Sequence, residues 1–307
     1  MTRRVWLLII ATAAVWGASY MFIKVALDDL SEGAIVCLRT AIGAVPLVIL
    51  AQRTGQLGAV RPRFRWIAVI TMIQVVAPFL LITYGEVHIP SSLTAILVAV
   101  VPIFTALLAL RFDHAERSRG WGLAGIVIGI CGVMLLFGVD LSGSADELLG
   151  GAMIVLAALG YAAAWMLTKH KLAGAPAVGV TAVTMVLATV VTLPLLAAQP
   201  PTEWPGIDTV AAMLALGAGG TGLAFVLYNK VIAAVGPARA SVVAYLAPAF
   251  SVVYGASVLG ESITMGSLGG LALILAGSWL AAQGRLPAWL SRSEPSRSSE
   301  PAPVRVR

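Results

Sequence analysis

The sequence predicts an all-α integral membrane protein: ten transmembrane helices arranged as two inverted five-helix repeats. Three observations carry that reading. First, 59% of the 307 residues are apolar and 11% are charged, against roughly 45–50% and about 25% in soluble domains. A soluble globular chain is thereby excluded. The 31 Gly and 16 Pro fit membrane helices, which tolerate both. Second, apolar runs of spanning length follow one another with short connections. Third, the chain matches itself at a nearly constant offset.

The first run, 5–26, follows Met1-Thr2-Arg3-Arg4, a basic start that resembles a signal peptide. It continues past Gly17 to Phe22 and has a mate later in the chain, so it is expected to be a retained span. The second run is 33–51, and the third, 66–86, ends at Glu86 with His88 beyond it. The fourth, 92–111, contains Pro102, and the fifth, 119–138, contains Gly125 and Gly129. Then come 148–168, 176–198 and the glycine-rich 208–228. The ninth, 238–258, contains Pro248, and 265–283 is the tenth, with Gly266 and Gly270. The Ser/Pro/Arg segment 284–307 cannot bury a core and is expected to be a disordered basic cytoplasmic tail.

Lys and Arg mark cytoplasmic loops. If the chain starts inside, 18 of the 20 basic residues collect on the inner face. Asp28, Asp29, Glu32, Glu86, Asp140, Asp146, Glu147, Glu203, Asp208 and Glu261 collect on the other. Both termini are expected in the cytoplasm. The same asymmetry explains the pI of 9.7 without a nucleic-acid partner. The bilayer and a small-molecule substrate are the partners expected; monomer and homodimer stay open. Cys37 and Cys131 fall on separate spans and are expected to be buried thiols. Neither a metal nor a cofactor is expected, since His and Cys have no ligand spacing.

The internal match is the most informative pattern. Trp16, Tyr20, Met21, Lys24 and Leu27 correspond to Tyr161, Trp165, Met166, Lys169 and Leu172. Pro46, Tyr84, Pro102, Glu116, Gly125 and Gly132 correspond to Pro194, Tyr228, Pro248, Glu261, Gly270 and Gly277, at offsets between 144 and 148. The halves are 1–138 and 148–283. Five spans is an odd number, so the second half enters the membrane inverted. Inverted repeats place a binding site at their interface near the midplane and suit a carrier working by alternating access.

Trp16-Gly17-Ala18-Ser19, the stretch from Tyr228 through Gly236-Pro237-Ala238-Arg239-Ala240-Ser241 to Tyr245-Leu246-Ala247-Pro248, Gly260-Glu261 and Gly269-Gly270 with Ala276-Gly277 resemble the EamA-type branch of the drug/metabolite transporter superfamily. The resemblance covers about 5–283. It implies a ten-helix inner-membrane carrier, of which many export amino acids or other small metabolites. The first half departs at Phe112-Asp113-His114-Ala115-Glu116, where the Glu lies one residue later relative to the proline than Glu261 does.

Intramembrane charges are functional candidates by their cost. Lys24 and Arg39 either snorkel to Asp28, Asp29 or Glu32 or attract a substrate carboxylate. Trp16 and Tyr20, like Tyr161 and Trp165, share a helix face at i and i+4 and are candidates to line a cavity. Gln74, Tyr84, Tyr228, Asn229 and Tyr245 are further polar candidates, with interhelical hydrogen bonding as the competing role. Pro102 and Pro248 are read as mid-helix hinges or static kinks. Glu86 and His88 are read as solvated at the outer surface, with a proton relay as the competing role; no Asp or Glu lies deep in a span, which disfavours a carboxylate-centred proton antiport and leaves Glu86 as its fallback, so Glu86→Gln is expected to leave transport largely intact. Glu116 and Glu261 are read as caps of the helices that follow them. The segment Gly217 to Gly222 fits G-x-G-x-x-G formally but follows no strand, and it is read as helix packing or local unwinding. An exporter of a small organic metabolite such as an amino acid is the leading expectation. An intramembrane lipid-modifying enzyme would need clustered His, Asp or Glu, and a membrane sensor would carry a soluble domain.

Overall fold

The computed structural model describes residues 2–112, 120–141, 143–236 and 240–283. His114, Glu116 and the tail 284–307 lie outside them. Among the described residues there is no strand. Helices long and apolar enough to span a bilayer are α1 (Arg3–Ala26), α2 (Glu32–Arg53), α3 (Gln56–His88), α4 (Ser91–Phe112), α5 (Trp121–Val139), α6 (Ala145–Lys171), α7 (Ala177–Ala198) and α8 (Ile207–Val235). α9 (Val242–Val258) is apolar but only 17 residues long, and α10 (Met265–Gln283) again meets the spanning length. The protein is multi-pass in the membrane.

Two boundaries differ most: α3, expected to begin at 66, starts at Gln56, and α8, expected to stop at 228, runs to Val235. Asn229 and Lys230 read as an end, but the apolar residues 231–235 continue the helix until Gly236 takes φ +79°. At the start of α6 the Ser144 hydroxyl accepts from Glu147 N at 3.1 Å, and the Glu147 carboxylate accepts from Gly143 N at 3.2 Å. This exchange of donors is a capping box shifted by one residue.

Three helices depart from regularity. Met72–Val76 of α3 and Ala215–Leu223 of α8 are π-helical, a geometry concentrated at functional sites. The glycine-rich segment is therefore local unwinding within a continuous helix. α4 is broken at Ala99 and Val100 between Ser91–Val98 and Val101–Phe112. Pro102 is thus the second residue of a new segment, where its missing N–H costs little, rather than a mid-helix kink. Ile103 N turns back to Val100 O at 2.9 Å. The Ala99 carbonyl accepts from the Ser278 hydroxyl of α10 at 3.1 Å instead. Pro248, its counterpart, lies inside an unbroken α9.

α5 packs along α10, α2 along α7, α1 against α8 and α9, and α6 against α3 and α4. The α5–α10 seam is glycine on glycine: a Cβ at Gly277 would lie 2.5 Å from Gly129 N and 2.6 Å from Gly125 O. Small residues here let the backbones touch, so this G-x-x-x-G pattern packs inside the fold. The opposite face of α5 carries exposed Val127, Ile130, Cys131 and Met134. Cys131 is therefore not the buried thiol expected; a helix apolar all round gives no sequence signal for which face meets lipid. Cys37 is buried.

One end of the bundle is acidic and tied together by hydrogen bonds. Asp29 accepts from Gly206 N at 2.8 Å and from the Thr209 hydroxyl at 2.6 Å, capping α8. Glu261 accepts from Ser91 N at 2.7 Å and Ser92 N at 3.0 Å. It was expected to cap the helix that follows it; it caps α4, and the Thr264 hydroxyl accepts from Ser267 N to cap α10. The hydrogen bonds from Thr209 and Gly206 hold the Asp29 carboxyl below its ordinary range. For Glu261, burial pushes upward, but the donors of Ser92 and Ser91 outweigh it and the net shift is down.

Candidate functional site

The helices enclose a cavity of about 250 Å³, close to the lower end of ligand-pocket sizes. α1 contributes Trp16, Ser19, Tyr20 and Ile23; α2 contributes Arg39; α3 contributes Gln74, Phe79 and Ile82. The break in α4 contributes Ala99 and Pro102, α6 contributes Tyr161 and Trp165, α8 contributes Gly220, Phe225 and Tyr228, and α9 contributes Ala247 and Pro248. Each irregularity of the fold reaches or adjoins this space. The π turn of α3 lies just before Phe79, that of α8 contains Gly220, and the break in α4 opens directly into the cavity.

Seven of the ten residues expected to bind substrate line the cavity: Trp16, Tyr20, Arg39, Gln74, Tyr161, Trp165 and Tyr228. Both prolines line it too. Trp16 packs on Tyr228 with ring centroids 4.8 Å apart and meets Phe225 edge-on at 6.0 Å. Phe225 was missed although it lies three residues before Tyr228 on the same helix face. Gly220 was not expected in the lining, but the reading of its segment as helix packing fits it: a Cβ there would lie 2.5 Å from the Ser19 hydroxyl, so α1 and α8 can approach only with glycine.

Among the described residues, Arg39 is the one cation of the wall. It is 6% exposed, its guanidinium lies 3.9 Å over the Phe79 ring, and its Nε has no hydrogen-bond partner. The expected alternative, a turn outward to Asp28, Asp29 or Glu32, is not its arrangement; Asp29 is occupied by α8. A cation–π contact compensates part of a buried charge, yet a guanidinium keeps a planar fork of donors suited to a carboxylate.

Three expected residues lie elsewhere. Lys24 donates to the carbonyls of Glu86 at 2.5 Å and Ile89 at 3.3 Å, a cation on the carbonyls of a helix C-terminus. It neither lines the cavity nor snorkels to an acid. Tyr84 is 38% exposed. It lies two residues from both Ile82 and Glu86, about 200° around the helix, and so faces away from the cavity. Tyr245, between lining residues Ala244 and Ala247, is not part of the wall. Asn229 is not part of it either; its side-chain nitrogen has no partner. Glu86 also departs from expectation: it is fully buried, with no hydrogen bond to either carboxylate oxygen.

On the acidic-end side of the lining Ile23, Ile82 and Ala95 are each at most 3% exposed, whereas Trp165, nearer the basic end of α6, is 42% exposed.

Among known proteins, the chain is 26% identical over 282 residues to the uncharacterized transporter YoaV of Bacillus subtilis, covering 90% of this chain and 96% of that one. It is 29% identical over 302 residues to a protein of Streptantibioticus cattleyicolor named a probable terminal-alkyne amino-acid exporter, covering 97% and 99%. A protein of Salmonella typhimurium named a probable amino-acid metabolite efflux pump is 25% identical, with 91% and 95% covered. A solved crystal structure shares the fold with a TM-score of 0.67 at 19% identity, over 92% of this chain and 98% of that one. The EamA-like transporter family matches residues 3–138 and again 148–283. Its pattern thus runs through every wall of the cavity, and the chain belongs to the EamA-like transporter family.

Proposed function

We propose that the chain is a secondary transporter that exports a small carboxylate-bearing metabolite, such as an amino acid, across the cytoplasmic membrane. The observation that carries this is Arg39: a buried guanidinium with an unpartnered Nε in a largely aromatic and aliphatic cavity, where Ser19 and Gln74 add only uncharged polar groups. A ligand carboxylate supplies the missing acceptor, while Trp16, Tyr20, Tyr161 and Tyr228 supply apolar surface with orienting tips. The names of two relatives, an amino-acid exporter and an amino-acid metabolite efflux pump, support the substrate class.

Transport proceeds by alternating access between halves 1–138 and 148–283, related by inversion. Supporting this, the family pattern occurs twice, and the packing partners exchange when each helix is replaced by its mate. α1 on α8 and α9 corresponds to α6 on α3 and α4. The π turns of α3 and α8 correspond likewise. The acidic end is the outer face, both termini are cytoplasmic, and the closed acidic side with the more open basic side corresponds to a state facing inward.

Counterflow tests the reading: proteoliposomes loaded with unlabelled amino acids take up the labelled compound. Arg39→Gln removes a charge-assisted hydrogen bond and weakens half-saturation by about 10- to 100-fold, with Arg39→Lys intermediate. Trp16→Ala and Tyr161→Ala abolish specific uptake while the protein stays folded. Counterflow unaffected by all four variants would move the site elsewhere.

A further inference from the structure

Glu86 lies on the cavity stripe of α3. Phe79, Ile82 and Glu86 are spaced i, i+3 and i+7, so they share a face, and the first two line the cavity. The third is one turn further towards the acidic end, fully buried, with neither carboxylate oxygen bonded. The groups acting on it are Lys24 of α1, Glu261 of the loop before α10, Arg39 of α2 and Tyr20 of α1. α6 presents Gly150 and Ile154 at the neighbouring Gly85. Lys24 has a carboxylate within electrostatic reach, yet its ammonium is spent on the backbone carbonyls of Glu86 and Ile89. An ionised carboxylate without a single donor is too costly to persist in such a place, and a proton removes the cost.

We propose that Glu86 is the proton-carrying group that couples export to an inward proton gradient, an inference that rests on the transport reading above. When the acidic end is open, the Glu86 carboxylate binds one proton from outside water. When the cavity faces inward, the proton leaves to the cytoplasm, and the resulting anion attracts the ammonium of an amino-acid substrate whose carboxylate is held by Arg39. Proton and ammonium compete for one negative charge, so they cross in opposite directions, one proton in for one substrate out. Lys24 is the switch partner: it rests on the carbonyls while Glu86 is neutral and turns to the carboxylate when the proton leaves.

The test uses the full chain in proteoliposomes with a mixture of labelled L-amino acids. In the wild type an inward gradient of about one pH unit accelerates efflux by up to about tenfold, the ratio of proton activities. Glu86→Gln loses this acceleration, and its counterflow weakens as well, because the substrate ammonium has lost the anion it pairs with. Glu86→Asp, still titratable, keeps the acceleration with a displaced pH profile. In parallel, infrared spectroscopy of the wild type in lipid shows a protonated carboxyl stretch that Glu86→Gln removes and Glu261→Gln leaves. Gradient-driven efflux in Glu86→Gln equal to wild type, or a band indifferent to that variant, would overturn the proposal. Absence of counterflow in the wild type would instead remove the transport reading, and the infrared band would still decide whether Glu86 carries a proton.

Discussion

Lys24 and Arg39 show what a membrane charge does and does not reveal in a sequence. Both were legible as costly groups, but depth alone does not say which way a side chain turns. Arg39 lies over Phe79 and faces the cavity; Lys24, on the helix that carries Trp16 and Tyr20, turns to the carbonyls ending α3. The aromatic four at 16, 20, 161 and 165 were legible because an ordered, repeated pattern of rare residue types is improbable by chance. Tyr84 belonged to a repeated pair too, and its mate Tyr228 lines the cavity while it does not. Asp29 and Glu261 carry a pH consequence. Their folded carboxyls titrate below the ordinary range, so their stabilisation is present at neutral pH and is lost as pH falls through those lowered values. Thermal unfolding of the solubilised protein from neutral to acid pH is expected to show a falling midpoint, and the Asp29→Asn, Glu261→Gln double variant a flatter one.

At the scale of elements, the helices other than α3 and α8 were legible to within a few residues because spanning length and apolarity are strong constraints. The irregularities were not. Nothing in Met72-Ile73-Gln74-Val75-Val76 announces a π turn, and Pro102 reads as a kink until the break two residues earlier is known. The break is stabilised from α10, so Ser278→Ala leaves the buried Ala99 carbonyl without its donor. The expected cost is about 1–3 kcal/mol, measurable as a lowered unfolding midpoint, with the larger effect if no water replaces the hydroxyl.

For the whole molecule, the two halves meet at the acidic end through single side chains seated on helix starts. If that end must part for export, tying it shut stops the cycle. In a Cys37→Ala, Cys131→Ala background, Asp29→Cys with Thr209→Cys is expected to lose counterflow on oxidation and regain it on reduction. Retained counterflow in the oxidised protein would mean that this end need not open. The π turns have one further consequence, for length rather than chemistry. Each holds more residues per turn than the α-helix around it, so each acts as a phase correction for everything downstream. Deleting one residue within 72–76 would let that turn revert to α geometry and leave Phe79, Ile82 and Glu86 in phase with the cavity, whereas deleting one residue from the regular helix at 77–78 would rotate all three by about 100°. A deletion inside the π turn is therefore expected to cost less function than a deletion just after it, and a deletion scan across 72–78 would measure the difference.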